Sequence, residues 1–140
     1  MEQTLAIFKP DCIQRRLLGK VITRIEDNNF RILGLKMIKL DTKTAQSFYQ
    51  VHTGKSFFEG LVEFMTSGPC CVAVLEKDNA IEDYRKLMGN TNPVEADEGT
   101  IRKEFAENTR RNIVHGSDSS ETAKGEIAFF YSIQEFLTFS

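Results

Sequence analysis

The chain has 140 residues, 41% of them apolar and 27% charged, with a formal net charge of −2. That length suits one domain, 1–140, with a substantial core. The mild acidity offers no electrostatic case for binding bulk nucleic acid or an anionic membrane, and no stretch approaches the ~18 apolar residues that would span a bilayer. Thr4 to Phe8 reads as a short apolar strand ended by Lys9-Pro10-Asp11. Leu18, Val21, Ile22 and Ile25 share one helical face, and that helix stops at Asn28-Asn29. Phe30 to Leu40 reads as a second strand. Thr42 to Val51 and Phe57 to Met65 form two helices around a break at Thr53-Gly54. Ser67-Gly68-Pro69 is a turn, Cys70 to Leu75 a buried strand and Ala80 to Met88 a helix. Gly89 to Gly99 is irregular, Ile113-Val114 offers a fourth strand, and Ser120 to Phe129 is the last helix.

This order contains the split βαββαβ pattern: an α+β sandwich with a four-stranded antiparallel sheet and helices on one face. The Gly89–Gly99 excursion is longer than most connections, and such segments tend to be functional or mobile. The first residues, Met1-Glu2-Gln3-Thr4, lack a basic region leading into an apolar run, so no secretory signal is expected. Cys12, Cys70 and Cys71 are odd in number, and two are adjacent inside an apolar run. Buried free thiols in a reducing cytoplasm are expected, not a disulfide framework.

The segment Asn112-Ile113-Val114-His115-Gly116-Ser117-Asp118-Ser119 delivers one of two histidines to a cluster of small polar residues. Such clusters suit turns and helix starts, where free N–H and hydroxyl groups meet anions. An imidazole with an ordinary pKa of about 6.5 is mostly neutral at pH 7, so it serves as nucleophile, base or metal ligand. Alone, the motif reads equally as a surface or capping residue. Thr53-Gly54-Lys55-Ser56 imitates the end of a P-loop, but Tyr49 holds the position that needs glycine, and the segment follows a helix instead of a strand. No dinucleotide fingerprint, kinase glycine loop or zinc-ligand spacing is present. Lys9, Arg85 and Arg102 all sit near element ends. Each alone reads as a solvated charge; converging on one pocket, they could hold a polyphosphate without a P-loop.

Taken together, Lys9-Pro10-Asp11, Phe57-Phe58-Glu59-Gly60-Leu61, Ser67-Gly68-Pro69, Gly89-Asn90-Thr91-Asn92-Pro93, Gly99-Thr100-Ile101-Arg102 and the His115 segment resemble the nucleoside diphosphate kinases. The pieces occur in family order and cover essentially the whole chain. The resemblance implies a ferredoxin-like fold and a ping-pong reaction in which a nucleoside triphosphate, typically ATP, gives its γ-phosphate to His115 and a nucleoside diphosphate takes it. Mg2+ is the implied cofactor, and the implied assembly is a homo-oligomer, tetramer or hexamer, built from a common dimer. No specific nucleic acid and no membrane are expected as partners, and the expected location is cytoplasmic.

By matching motif, Lys9, Arg85, Thr91, Arg102 and Asn112 bind the phosphates and sugar of the nucleotide, with Lys9 also acting in catalysis. Phe57 stacks on the base, with Leu61 beside it. Tyr49 neighbours the histidine, Glu126 orients its imidazole, Ser117 contacts that pair, and Asp118 lies near the magnesium, which the phosphates mainly hold. The residue types suit the chemistry. Phosphoryl transfer asks for alignment and charge stabilisation, and a neutral imidazole attacks without a general base. Stacking tolerates every base, so broad nucleotide specificity is expected.

The chain departs from common family patterns at Cys12, Arg16, Ser56, Glu98 and Arg110. Only Arg110, an extra cation where glycine is frequent, falls close to where the base should lie. It is expected to alter base preference or affinity modestly. The chain ends at Ser140 without the longer tail of some hexameric members, which leaves tetramer and hexamer both open. A nucleotide-binding module without catalysis is the main competing reading; it disagrees with the retained histidine and cations. Sequence-specific DNA binding has no basic patch or recognition motif behind it.

Overall fold

The computed structural model describes residues 1–136, so residues 137–140 of the expected unit lie outside the described residues. The strands are β1 (Glu2–Phe8), β2 (Arg31–Ile38), β3 (Cys70–Lys77) and β4 (Val114–Gly116). They form one sheet in the order β2-β3-β1-β4, with antiparallel pairing throughout. The helices are α1 (Pro10–Gln14), α2 (Leu18–Asp27), α3 (Thr42–Phe48), α4 (Phe58–Met65), α5 (Ala80–Met88), α6 (Ile101–Phe105) and α7 (Ser120–Phe130).

Strands β1 and β3 occupy the centre and read as nearly continuous apolar runs because both of their faces are covered. The two-residue alternation sorts their side chains. Ala6, Phe8, Cys71, Ala73 and Leu75 join Val21 and Ile25 of α2 and Tyr84 and Met88 of α5. Leu5, Ile7, Val72 and Val74 join Ala45 of α3, Val62 and Met65 of α4 and Ile127 of α7. The antiparallel register keeps like with like, pairing Leu5 with Val74 and Ala6 with Ala73. Helices therefore cover both faces, not one as expected from the βαββαβ pattern. The additional helices α3, α4 and α7 carry apolar stripes of their own, and the second face of the sheet is what buries them.

Local chemistry explains the boundaries. Asp41 caps α3 through the Thr44 N–H, at 2.7 Å, and Ser119 and Thr122 form a reciprocal capping box at the start of α7. The helix expected over 42–51 ends at Phe48 and continues as a 3-10 turn over Gln50–His52. Helices α1 and α6 have five residues each, too few to show a period. The fourth strand begins one residue later than expected, at Val114, because Ile113 adopts φ +75° and cannot be part of a ladder. All three cysteines are buried free thiols.

Candidate active site

A cleft of about 990 Å³ opens beside the ends of β1 and β4, between α4 and the α5–α6 connection. Lys9, Tyr49, Phe57, Leu61, Arg85, Thr91, Arg102, Asn112 and His115 all line it. Residues drawn from seven separate parts of the chain thus share one wall, and Lys9, Arg85 and Arg102 do converge. Ser117 and Glu126 stand behind His115, and Asp118 opens on a neighbouring cavity of about 420 Å³ that shares His115 and Gly116 with the cleft.

His115 sits in β4 opposite Ile7 of β1. Its Nε2 lies 2.8 Å from Oε1 of Glu126, which α7 delivers. The Ser117 hydroxyl donates to the same carboxylate oxygen at 2.7 Å and accepts the Leu5 N–H at 3.3 Å. An ionised carboxylate has no hydrogen to give, so the imidazole donates from Nε2 and Nδ1 keeps its lone pair. Nδ1 has no partner among the described residues. Phe48 packs edge-on to the ring at 5.7 Å. Tyr49 is buried, and its hydroxyl has no hydrogen-bond partner among the described residues. Burial, then Cys70 and Glu126, push its pKa up, so the phenol stays protonated as a donor.

The cations are held in different ways. Lys9 is 8% exposed and donates from Nζ to Oδ1 of Asn112 at 2.8 Å. Burial, with Arg102 nearby, pulls its pKa down to about 8 against the opposing pull of Asp11. Arg102, on α6, gives its guanidinium to the carbonyls of Asn112 (3.3 Å), Gly89 (3.0 Å) and Val114 (2.8 Å). It therefore clamps the approach to His115 as well as presenting charge. Arg85 is exposed on α5 and forms no ion pair with the described residues. Asn112 spends its amide on Thr109 O at 3.0 Å and Thr91 O at 3.4 Å, tying the long connection to β4.

Between Asn112 and His115 the backbone is strained. Ile113 has φ +75°, a β-branched outlier of a kind that costs about 1–3 kcal/mol and survives only where its surroundings over-determine it. At the outer end of the cleft Phe57 is 42% exposed, with His52 at 5.1 Å and Lys55 Nζ 5.8 Å above its ring.

A family model described as nucleoside diphosphate kinase matches residues 2–136. The chain is 51% identical to the nucleoside diphosphate kinase of Chlorobium limicola and 52% identical to that of Histophilus somni, each over 135 residues and 96% of both chains. It is also similar to the solved nucleoside diphosphate kinase of Aquifex aeolicus, with TM-score 0.95, 41% identity and coverage of 97% of this chain and 99% of that one. The chain belongs to the nucleoside diphosphate kinase family. A further solved member, from Halobacterium salinarum in complex with CDP, has TM-score 0.95 and 37% identity, covering 99% of this chain and 93% of that one.

The kinase is thus a nucleotide-binding phosphotransferase with the ferredoxin-like fold of that family. No helix among its described residues is long and apolar enough to cross a membrane. Gly89 and Asn90, quoted only as part of a motif, also line the cleft, as do His52, Met88, Asn108 and Thr109, which sequence reasoning did not single out. His52 has only its aromatic spacing to Tyr49 and Phe57 as a signal. Asn108 holds the N–H groups of Arg110 and Arg111, at 3.0 and 2.8 Å, and so shapes the wall below Asn112. Arg110 lies flat against α4: a Cβ placed on Gly60 would come within 2.5 Å of its guanidinium. It forms no ion pair with the described residues, which leaves its donors free at the mouth beside Phe57.

Among the described residues no cluster of three His, Cys, Asp or Glu side chains could hold a metal unaided. Asp118 offers one carboxylate, with Oδ1 accepting from the Thr122 hydroxyl at 2.7 Å. That donor set fits a hard cation whose other ligands are phosphate oxygens and water.

Proposed function

We propose that the kinase carries a phosphoryl group between nucleotides on Nδ1 of His115. One observation carries this reading: Glu126 occupies Nε2, so the imidazole lone pair is at Nδ1, on a cleft lined by Lys9, Arg85 and Arg102. The lone pair attacks the γ-phosphorus of a nucleoside triphosphate. An N–P bond forms, the bond from phosphorus to the bridging oxygen breaks, and that electron pair leaves on the nucleoside diphosphate. A second nucleoside diphosphate then attacks with its terminal phosphate oxygen and reverses the step.

Each residue has work in that cycle. Glu126 accepts from Nε2–H and steadies the cationic ring that forms; Ser117 fixes the carboxylate. Lys9 and Arg85 lie where they would meet transferring oxygens, and the two N–H groups of Arg102 not spent on carbonyls serve the same oxygens. Tyr49 lines the cleft, with its unpaired hydroxyl buried from solvent. Phe57 stacks the base with Leu61 beside it, while Thr91 and Asn112 lie toward the sugar and phosphates. Mg2+, held by the phosphates with Asp118 nearby, would neutralise charge on the oxygens of the leaving diphosphate.

The test is incubation with γ-labelled ATP and Mg2+. Acid-labile, base-stable label on wild-type protein and none on His115→Ala is expected. Equal labelling of the variant would sink the assignment. The same reading includes one catalytic domain over 1–140, a cytoplasmic location, supported by the three free thiols, and a tetramer or hexamer built from a common dimer. Leu35 and Met37, about half exposed on the edge strand β2, support association.

A further inference from the structure

The turn that leads into His115 breaks a rule of strand geometry. Ile113 and Val114 are consecutive, yet both are fully buried in the same apolar cluster beside α2 and α5. A regular strand sends consecutive side chains to opposite faces. Here Asn112, Ile113 and Val114 form a three-residue γ-turn, in which the Val114 N–H donates to Asn112 O at 2.8 Å and the central φ is +75°. The reversal at Ile113 lets both apolar side chains enter the core and leaves Asn112 and His115 lining the cleft.

Left to itself, an isoleucine abandons positive φ. What holds it are three buried neighbours. The Lys9 N–H donates to Ile113 O at 2.9 Å, and Arg102 takes the carbonyls on either side, of Asn112 and Val114. The Ile113 N–H itself donates to Oδ2 of Asp11 at 3.1 Å. Asp11 is 1% exposed, at the start of α1, and its second oxygen, Oδ1, has no partner among the described residues. A buried carboxylate with half its acceptors idle is costly, and its one well-made bond goes to the strained residue.

We infer that Asp11 is a positioning residue for His115, its Oδ2 holding Ile113 in the left-handed turn that delivers the imidazole to the cleft. The inference deepens the phosphohistidine reading and rests on it. A rival role for Asp11 is as counter-charge to Lys9, and the two roles separate chemically. Asp11→Asn keeps an oxygen acceptor for the Ile113 N–H and removes the charge; Asp11→Ala removes both.

Both variants are compared with wild-type full chain, well below their melting temperatures, by two readouts. One is the 15N shifts of the His115 ring, which report whether the Nε2–H tautomer set by Glu126 survives. The other is the single-turnover rate of phosphoryl transfer from saturating Mg-ATP, with nucleotide affinity measured separately. For Asp11→Ala the tautomer pattern should average out and the rate should fall at least about tenfold. Asp11→Asn should keep both, with the rate within about threefold of wild type, well short of the loss expected when an orienting bond goes. Wild-type ring shifts in Asp11→Ala overturn the inference, whatever happens to its stability. An Asp11→Asn variant with disturbed ring shifts also overturns it, and this arm decides alone if the alanine variant does not fold. The ring shifts need no turnover, so a wild-type chain that takes no phosphate would defeat the phosphotransfer reading while this test still returns an answer.

Discussion

At the residue scale the site is a division of one imidazole's two nitrogens. Glu126 holds Nε2 at 2.8 Å, and its replacement by Gln turns a charged acceptor into a neutral one while keeping the shape. Turnover at saturating nucleotide should fall on the order of 10–100-fold in Glu126→Gln, with KM little changed, because the bond matters most when the ring becomes cationic. A variant whose KM rises while kcat holds would place Glu126 in binding instead. Lys9 makes a pH prediction. Burial lowers its pKa from 10.5 to about 8, so the ammonium loses its proton as pH rises through that value. The KM for nucleoside diphosphates should climb above about pH 8, and Lys9→Arg should abolish that limb. Stability moves oppositely. The folded chain releases this proton before the unfolded chain does, so the destabilisation from a buried ammonium is relieved between about 8 and 10.5. A KM profile flat from pH 7 to 10 would refute the assignment.

The residues with distinctive chemistry were legible in the sequence because their types declare it. His115, Lys9, Arg85 and Arg102 all line the cleft, and Glu126 reaches His115 at 2.8 Å. What the sequence hides is their second employment. Arg102 reads as a free cation and turns out to grip three carbonyls. Ile113 reads as strand because β-branched side chains favour extended backbone; nothing local announces that buried neighbours force it to positive φ.

At the scale of elements, long periodic segments were readable and short ones were not. Helices α2, α5 and α7 have apolar spacing over at least nine residues; α1 and α6, at five each, have no period to read. Helix α6 nonetheless carries Arg102 and is capped by Thr100, whose hydroxyl accepts the Lys103 N–H at 3.3 Å. Its link to α5 depends on Gly89. That residue has φ +87°, and a Cβ there would come within 2.5 Å of the Thr100 hydroxyl while Gly89 O holds Arg102 at 3.0 Å. Gly89→Ala should therefore cost about 1–3 kcal/mol in urea denaturation and weaken nucleotide binding at the same time. Wild-type stability with wild-type affinity would show that the connection does not rely on this turn.

For the whole molecule, the βαββαβ order was visible, but the covering of both sheet faces was not. The order specifies strand adjacency and says nothing of where α3, α4 and α7 go; their apolar stripes decide that by packing on Leu5, Ile7, Val72 and Val74. The cleft draws on elements from both layers, since α4 belongs to one and α5 and α6 to the other. Nucleotide should therefore brace the entire fold. At one hundred times its dissociation constant, a nucleoside diphosphate should add about 2.7 kcal/mol to stability, seen as a rise in Tm. A Tm unmoved by nucleotide would mean that the folded chain does not bind it in preference to the unfolded one.

The central claim, that Glu126 reserves Nε2 and leaves Nδ1 to take the phosphate, is most directly tested by NMR of the phosphorylated protein with 15N-labelled histidine. Phosphorus–nitrogen coupling should appear at Nδ1 of His115 alone. Coupling at Nε2, or phosphate on a different residue, would contradict it.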